Sequence, residues 1–209
     1  MTSTLPRIYV VRHGETEWSL AGRHTGRTDL PLTAPGEAEA RENGRRLHGI
    51  NFSHVLTSPR QRARRTCDLA MLSPAAEIDP DLAEWDYGDY EGKVTVEIHR
   101  ERPGWNLFRD GCPHGESPAQ VGSRADRLFR HLQSLGGNIA LFTHGHFGRV
   151  LAARWIGLPA GGARGFLFDT ASLGILDYEH GMADSPVVAA WNIGPGPLTP
   201  APANRPPSP

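Results

Sequence analysis

Three apolar runs in this chain break off into the same kind of polar ending. Residues 8–11 (IYVV) lead into Arg12, His13, Gly14 and Glu15. Residues 54–58 (HVLTS) lead into a Pro-Arg-Gln-Arg segment, and residues 138–143 (NIALFT) lead into His144, Gly145 and His146. Short apolar runs closed by glycine, proline and polar residues read as buried strands, and the segments between them carry helical spacing. The stretch LTAPGEAEARENGRRLHGI reads as a helix with Thr33 as its N-cap. A second helix is expected to open at Ser58-Pro59 and run through RQRARRTCDLAML, since proline just inside a serine cap is a good helix start. Residues 94–102 and 117–135 have helical spacing, as does HFGRVLAARWIGL after the third run, while AEIDP, SLGILDY and VVAAWNI read as further strands.

Strands alternating with helices predict an α/β fold: a three-layer α/β/α sandwich around a mostly parallel sheet. In such sheets ligands bind beyond the carboxyl ends of the strands. All three strand endings named above therefore point to one edge, and each delivers arginine, histidine or both.

Bulk properties exclude several classes. A formal net charge of −1 gives no cause for attraction to nucleic acid or to an anionic membrane. No apolar run approaches the roughly 20 residues that cross a bilayer, and MTSTLPR lacks the regions of a secretory signal. Cys67 and Cys112 are read as reduced thiols, which places the protein in the cytoplasm. Residues 1–194 form the expected single domain, and the Pro/Gly-rich residues 195–209 a poorly ordered tail. Lys93 is the only lysine, so arginine is the chain's default cation and each individual arginine needs a positional argument.

Arg12 and His13 after the first run, Arg62 one helical turn past Ser58, and His144 after the third run would together make a cationic pocket. Guanidinium forks match phosphate oxygens, and helix N-termini add backbone donors. The segment LAEWDYGDYEG supplies Glu84, Asp86, Asp89 and Glu91 as candidate acids. A carboxylate beside a phosphate dianion is pushed toward its protonated form and can then donate to a leaving alkoxide. These parts suit an imidazole attacking phosphorus, with water later releasing the phosphoryl group. The spacing of His144 and His146 also fits a zinc pair, but neighbouring arginines repel a cation and zinc hydrolases want three ligands. No metal or cofactor is expected.

RHGETEW, the GRHTGRTDLPLTAPG segment, SPRQRARRT, the Glu of LAEWDYGDYEG and THGH, in that order, resemble the motifs of the histidine phosphatase superfamily, which includes the phosphoglycerate mutases. The likeness covers roughly residues 8–180. It implies a phosphoglycerate mutase-like fold, His13 as the phosphorylated nucleophile, Arg12, Arg62 and His144 as the phosphate pocket, and Glu84 as proton donor. It further implies Ser19, Thr25, Gly26, Tyr87 and Gly145 as substrate-binding residues.

Cofactor-dependent mutases of this family carry a longer insert between the acid and the second histidine, with a lysine and an arginine pair. Here 59 residues separate Glu84 from His144, Thr95 stands where the mutase lysine is expected, and no Arg-Arg pair follows. WNLFRDGCPHGES and EWDYGDYEG instead resemble the acid phosphatase and sedoheptulose-1,7-bisphosphatase-like subgroup. The reading is a metal-independent phosphomonoesterase acting on small phosphorylated metabolites, sugar bisphosphates among them. The alternatives are a phosphoglycerate mutase and a non-catalytic phospho-ligand binding module. Arg109 is a candidate grip for a second anionic group, and His146 is read as structural. His24 and the other histidines are read as surface or packing residues, and nothing fixes an oligomeric state.

Overall fold

The structure is a computed structural model, and it describes residues 5–195. In chain order it contains β1 (Arg7–Arg12), α1 (Glu17–Leu20), α2 (Ala34–Leu47), β2 (His54–Thr57), α3 (Gln61–Leu69), β3 (Ala76–Ile78), α4 (Thr95–Glu101), α5 (Leu107–Asp110), α6 (Pro118–Leu135), β4 (Asn138–Thr143), α7 (Gly145–Trp155), β5 (Leu173–Tyr178) and β6 (Pro186–Ile193). Beyond its first residue, the tail expected over 195–209 lies outside the described residues.

The six strands form one sheet in the order β3-β2-β4-β1-β5-β6. β3, β2, β4 and β1 are mutually parallel, whereas β5 and β6 are antiparallel additions beside β1. The sheet is thus mostly parallel, with its two antiparallel strands together at one edge. The hairpin-like link of residues 179–185 between β5 and β6 is too short for the crossover that parallel strands need.

Side-chain alternation along the central strands creates the three layers. Ile8 and Val10 of β1 and Ile139 and Leu141 of β4 pack on one face with Leu128 and Leu132 of α6 and Val150 and Leu151 of α7. Tyr9, Val11, Ala140 and Phe142 pack on the other with Leu47 of α2 and Ala63 and Cys67 of α3. Strands covered on both faces read as unbroken apolar runs, which is why these two were legible. Truncating Leu141, fully buried, to alanine costs about 2–5 kcal/mol at such a site.

Local signals set the helix starts. Thr33 caps α2, its hydroxyl accepting from Gly36 N at 3.1 Å. Ser117 and Gln120 form a reciprocal capping box on α6. α3 differs from expectation: it starts at Gln61, not at Ser58-Pro59. Arg60 is extended, and the orphan Gln61 N–H is capped at 2.8 Å by Asp29 from a distant loop. The Ser58 hydroxyl accepts from Arg60 N at 3.3 Å, in the turn before the helix, and from His144 at 2.7 Å.

Gly14 explains the glycine behind the first Arg-His pair. Its Cα faces the start of α2 so closely that a methyl group there would lie 2.2 Å from Gly36 O. The contact seats the loop after β1 against the α2 N-terminus.

Candidate active site

The sheet register builds the site. β1 and β4 run parallel with Arg12 opposite Thr143, so the next residues, His13 and His144, emerge side by side. His13 N–H donates to Thr143 O at 3.0 Å, and the two imidazoles stand 5.2 Å apart in edge geometry. β2 pairs with β4 on its other side, and Ser58 N–H continues the ladder to Phe142 O at 2.9 Å. Arg62, Ala63, Thr66 and Cys67 form the buried face of α3, so Arg62 points inward from its first turn. Arg64 and Arg65 point outward, and Arg65 pairs with Glu37 on the surface.

Arg62 is fully buried and organises both histidines. Its Nε donates to His13 Nε2 at 3.3 Å and to His144 Nδ1 at 3.2 Å. Its Nη groups donate to the carbonyls of Thr28 and Thr25 at 2.9 Å and of Gly26 at 3.3 Å. These partners assign the tautomers. His13 Nδ1 lies 2.8 Å from Gly14 O, which only accepts, so Nδ1 carries the proton and Nε2 the lone pair. His144 Nδ1 accepts from Arg62, so its Nε2–H donates to Ser58 Oγ. Burial, and then the guanidiniums of Arg62 and Arg12, hold His13 well below the usual histidine range. Burial and Arg62 do the same to His144. Both rings are neutral near pH 7.

Arg12 donates through Nη1 to Phe168 O. Among the described residues its buried Nε has no partner. The guanidinium lies flat against Gly145, where a Cβ would come within 3.0 Å of Arg12 Cζ. A side chain at 145 would push on the cation, which glycine leaves room for.

The four candidate carboxylates separate cleanly. Glu84 accepts from the N–H groups of Trp85 and Phe147 at 2.8 Å and of His146 at 3.0 Å, which docks it on the N-terminus of α7. Asp86 pairs with Arg27, and Asp89 with His114. Glu91 accepts from Gly26 N at 3.0 Å and Thr28 N at 2.9 Å, and so anchors the loop whose carbonyls hold Arg62. Of the four, only Glu84 lines the central cavity.

That cavity, about 320 Å³, is walled by Arg12, His13, Glu84, Tyr87, Gly145 and Arg149, with Ser19 and Thr25 nearer the α1 side. Arg62 and His144 lie beneath it, fully buried. Ser19 lines the cavity and closes α1 in a capping box with Thr16. Thr25 lines it and lends its carbonyl to Arg62. Gly26 does not line it: it sits behind Arg62, with Trp85 O 2.6 Å from where a Cβ would be. Tyr87 Oη meets His146 Nδ1 at 2.6 Å.

Sequence reasoning missed His24, Arg23 and Arg149 in the wall, and His146, read as structural, also lines the cavity. His24, read as surface or packing, lines the cavity, stacks on His146 and bonds Lys93 O at 2.8 Å. Arg149 lies three residues after His146 on α7, and that helical spacing was the available signal. Its guanidinium sits over Phe108, and burial lowers it to about 10. Arg109, the earlier candidate for a second grip, is caught in a surface pair with Asp110 at 2.8 Å and does not reach the cavity. Among the described residues no group of three His, Cys, Asp or Glu is placed to hold a metal ion. Both cysteines are free, and burial pushes each thiol up to about 12.

A neutral imidazole between guanidiniums, with a carboxyl group across the cavity, defines a phosphoryl-transfer site at the carboxyl edge of an α/β sheet. The chain belongs to the histidine phosphatase superfamily (branch 1), whose family model matches residues 8–193, and it is a phosphoric monoester hydrolase. It is 42% identical to an acid phosphatase of Mycobacterium tuberculosis over 182 residues, 84% of this chain and 88% of that one. It is 42% identical over 192 residues to sedoheptulose 1,7-bisphosphatase of Saccharomyces cerevisiae, covering 76% of this chain and 70% of the relative. A solved structure of a Mycobacterium tuberculosis open reading frame superposes with a TM-score of 0.84 at 39% identity, covering 91% of this chain and 98% of the other.

Proposed function

We propose that the chain hydrolyses small phosphorylated metabolites, sugar phosphates foremost, through a phosphohistidine at His13. The observation that carries this reading is the tautomer lock on that ring. With Nδ1–H held by Gly14 O, the lone pair of Nε2 meets, among the described residues, a long contact from Arg62 that is shared with His144. A weak three-centre contact leaves the nitrogen nucleophilic.

In the first step the Nε2 lone pair attacks phosphorus, the ester P–O bond breaks, and Glu84 gives its proton to the departing alkoxide. Arg12, whose buried Nε lacks an acceptor among the described residues, would hold the phosphoryl oxygens. Arg62 Nε would turn to one of them once the His13 lone pair is taken up, and His144, whose N–H serves Ser58, would hold Arg62 in place from below. In the second step water attacks phosphorus, its proton passes to Glu84, and the P–N electron pair returns to His13. Ser19, Thr25, Tyr87 and Gly145 would surround the substrate, and Gly26 would act through Arg62.

The far wall supports a substrate with a second polar end. Arg149 offers a cationic donor there, and His24, whose Nδ1–H is held by Lys93 O, turns an acceptor nitrogen toward the same cavity. Both relatives named above are phosphatases, one of a sugar bisphosphate, which favours that class here. Lys93 pairs with Glu101 while Thr95 lines the cavity, so threonine and not lysine stands at the position where the mutase lysine is expected. The two free thiols suit a reducing compartment and support a cytoplasmic placement.

The experiment is a kcat/KM ranking of phosphomonoesters, with sedoheptulose 1,7-bisphosphate and 3-phosphoglycerate included, in the presence of EDTA. Sugar bisphosphates should rank first. Bisphosphoglycerate-stimulated isomerisation exceeding hydrolysis would instead establish a mutase.

A further inference from the structure

Glu84 is held from two directions. The α7 amides hold its carboxylate, as described above. Its main chain is held separately by Arg124, a residue of α6 whose side chain is largely buried. Arg124 Nη1 donates to Asp81 O at 2.9 Å and to Ala83 O at 2.7 Å, and its Nη2 reaches Glu84 O at 3.3 Å. Three carbonyls of the segment that ends in the acid therefore converge on one guanidinium.

The guanidinium is itself fixed. Glu116 accepts from its Nε at 2.9 Å and its Nη2 at 2.8 Å, a two-pronged charge-assisted pair. Glu116 also grips the residues just after the acid. Its carboxylate accepts from Asp86 N at 3.0 Å, its carbonyl accepts from Trp85 Nε1 at 2.9 Å, and its N–H donates to Asp86 O at 2.9 Å. The flat face of the guanidinium lies 4.1 Å from the Phe147 ring centre, and Phe147 N–H is one of the donors to the Glu84 carboxylate. Arg124 thus touches both the main chain that carries the acid and the residue that orients its side chain.

We infer that Arg124, braced by Glu116, is the positioning residue that sets Glu84 at the leaving-group oxygen; this rests on the acid role given to Glu84 above. A lysine would not replace it, because a single ammonium cannot serve three carbonyls and a carboxylate in one plane. General acid catalysis is sensitive to such placement, since a displacement of about 1 Å can cost about 10²-fold.

The consequence is a selective defect. An alkyl phosphate has a poor leaving group and depends on the proton, whereas p-nitrophenyl phosphate has a good one and depends on it little. The readout is kcat/KM, which covers steps only up to phosphoryl transfer, for glycerol phosphate and p-nitrophenyl phosphate. In Arg124→Ala the ratio of aryl to alkyl kcat/KM should rise about tenfold or more, within the range that general acid catalysis supplies. Arg124→Lys, which keeps the stem and the charge, should show a smaller rise in the same direction and carries the test if the alanine variant does not fold. An equal loss for both esters in the folded variants would make Arg124 a structural residue only and overturn the inference. Glu84→Gln separates the two layers. If it raises the ratio and the Arg124 variants do not, the positioning role alone fails. If Glu84→Gln does not raise the ratio, the acid role falls and this inference with it.

Discussion

Arg62 Nε stands 3.3 Å from His13 Nε2, inside a pocket where both side chains are buried. The guanidinium cannot protonate the ring, so the contact orients the lone pair without consuming it, and its charge disfavours the imidazolium. Arg62→Lys should lower kcat/KM by about 10²–10³, the usual effect of losing one preorganised donor to a developing phosphoryl charge. Lysine keeps the charge but abandons the carbonyls of Thr25, Gly26 and Thr28. Steady-state kinetics of the folded variant measures the loss.

Glu91 acts one step further back. Its carboxylate holds Gly26 N and Thr28 N, whose loop carbonyls hold Arg62. Glu91→Ala should destabilise the protein by about 1–3 kcal/mol, because two amide donors lose their acceptor, and it should lower activity without touching substrate. Urea denaturation with kinetics on the same preparation checks both effects.

Gly145→Ala tests the path of Arg12. A methyl group there would lie 3.0 Å from Cζ of the guanidinium, so the side chain must shift. Inorganic phosphate, as a competitive inhibitor, should bind about tenfold more weakly, within the reach of a displaced bidentate contact. Inhibition constants for the two proteins, measured side by side, decide it.

Much of this was legible before any coordinates. The runs in β1 and β4 are continuous because both faces are covered, and their polar endings mark the ligand edge. Arg62 was singled out by its spacing after Ser58-Pro59, as the family resemblance implies, while the buried face of α3, which leaves Arg64 and Arg65 outside, was seen only in the fold. The directions of β5 and β6 were not legible, since an apolar alternation is the same read up or down a strand. The start of α3 was misread because its cap comes from Asp29, a residue remote in sequence. His24 and Arg149 sit in the wall through loop and helix packing, and their own neighbours in sequence give only a weak hint. Cavity position likewise separates Glu84 from Asp86, Asp89 and Glu91.

The buried histidines set a pH dependence of stability. His13, His144 and His146 are all held well below the usual histidine range, chiefly by burial. Unfolded, each titrates near about 6.5, so below that pH the unfolded chain binds protons that the folded one refuses. Stability is therefore fully present above about 6.5 and falls as the pH drops toward the folded values, by up to about 1.4 kcal/mol per pH unit for each ring. Denaturation midpoints at neutral pH and near pH 5 should differ accordingly. The same depression keeps His13 neutral, so kcat/KM should persist on the acid side of 6.5.

Trapping the covalent intermediate is the most direct measurement. The enzyme is mixed with p-nitrophenyl phosphate, quenched within the first turnover under alkaline conditions that preserve phosphohistidine, digested, and read by mass spectrometry. The peptide carrying His13 should gain one phosphoryl group, and the gain should vanish in His13→Ala together with turnover. A phosphoryl group found on another residue, or turnover surviving the loss of His13, would contradict the assignment.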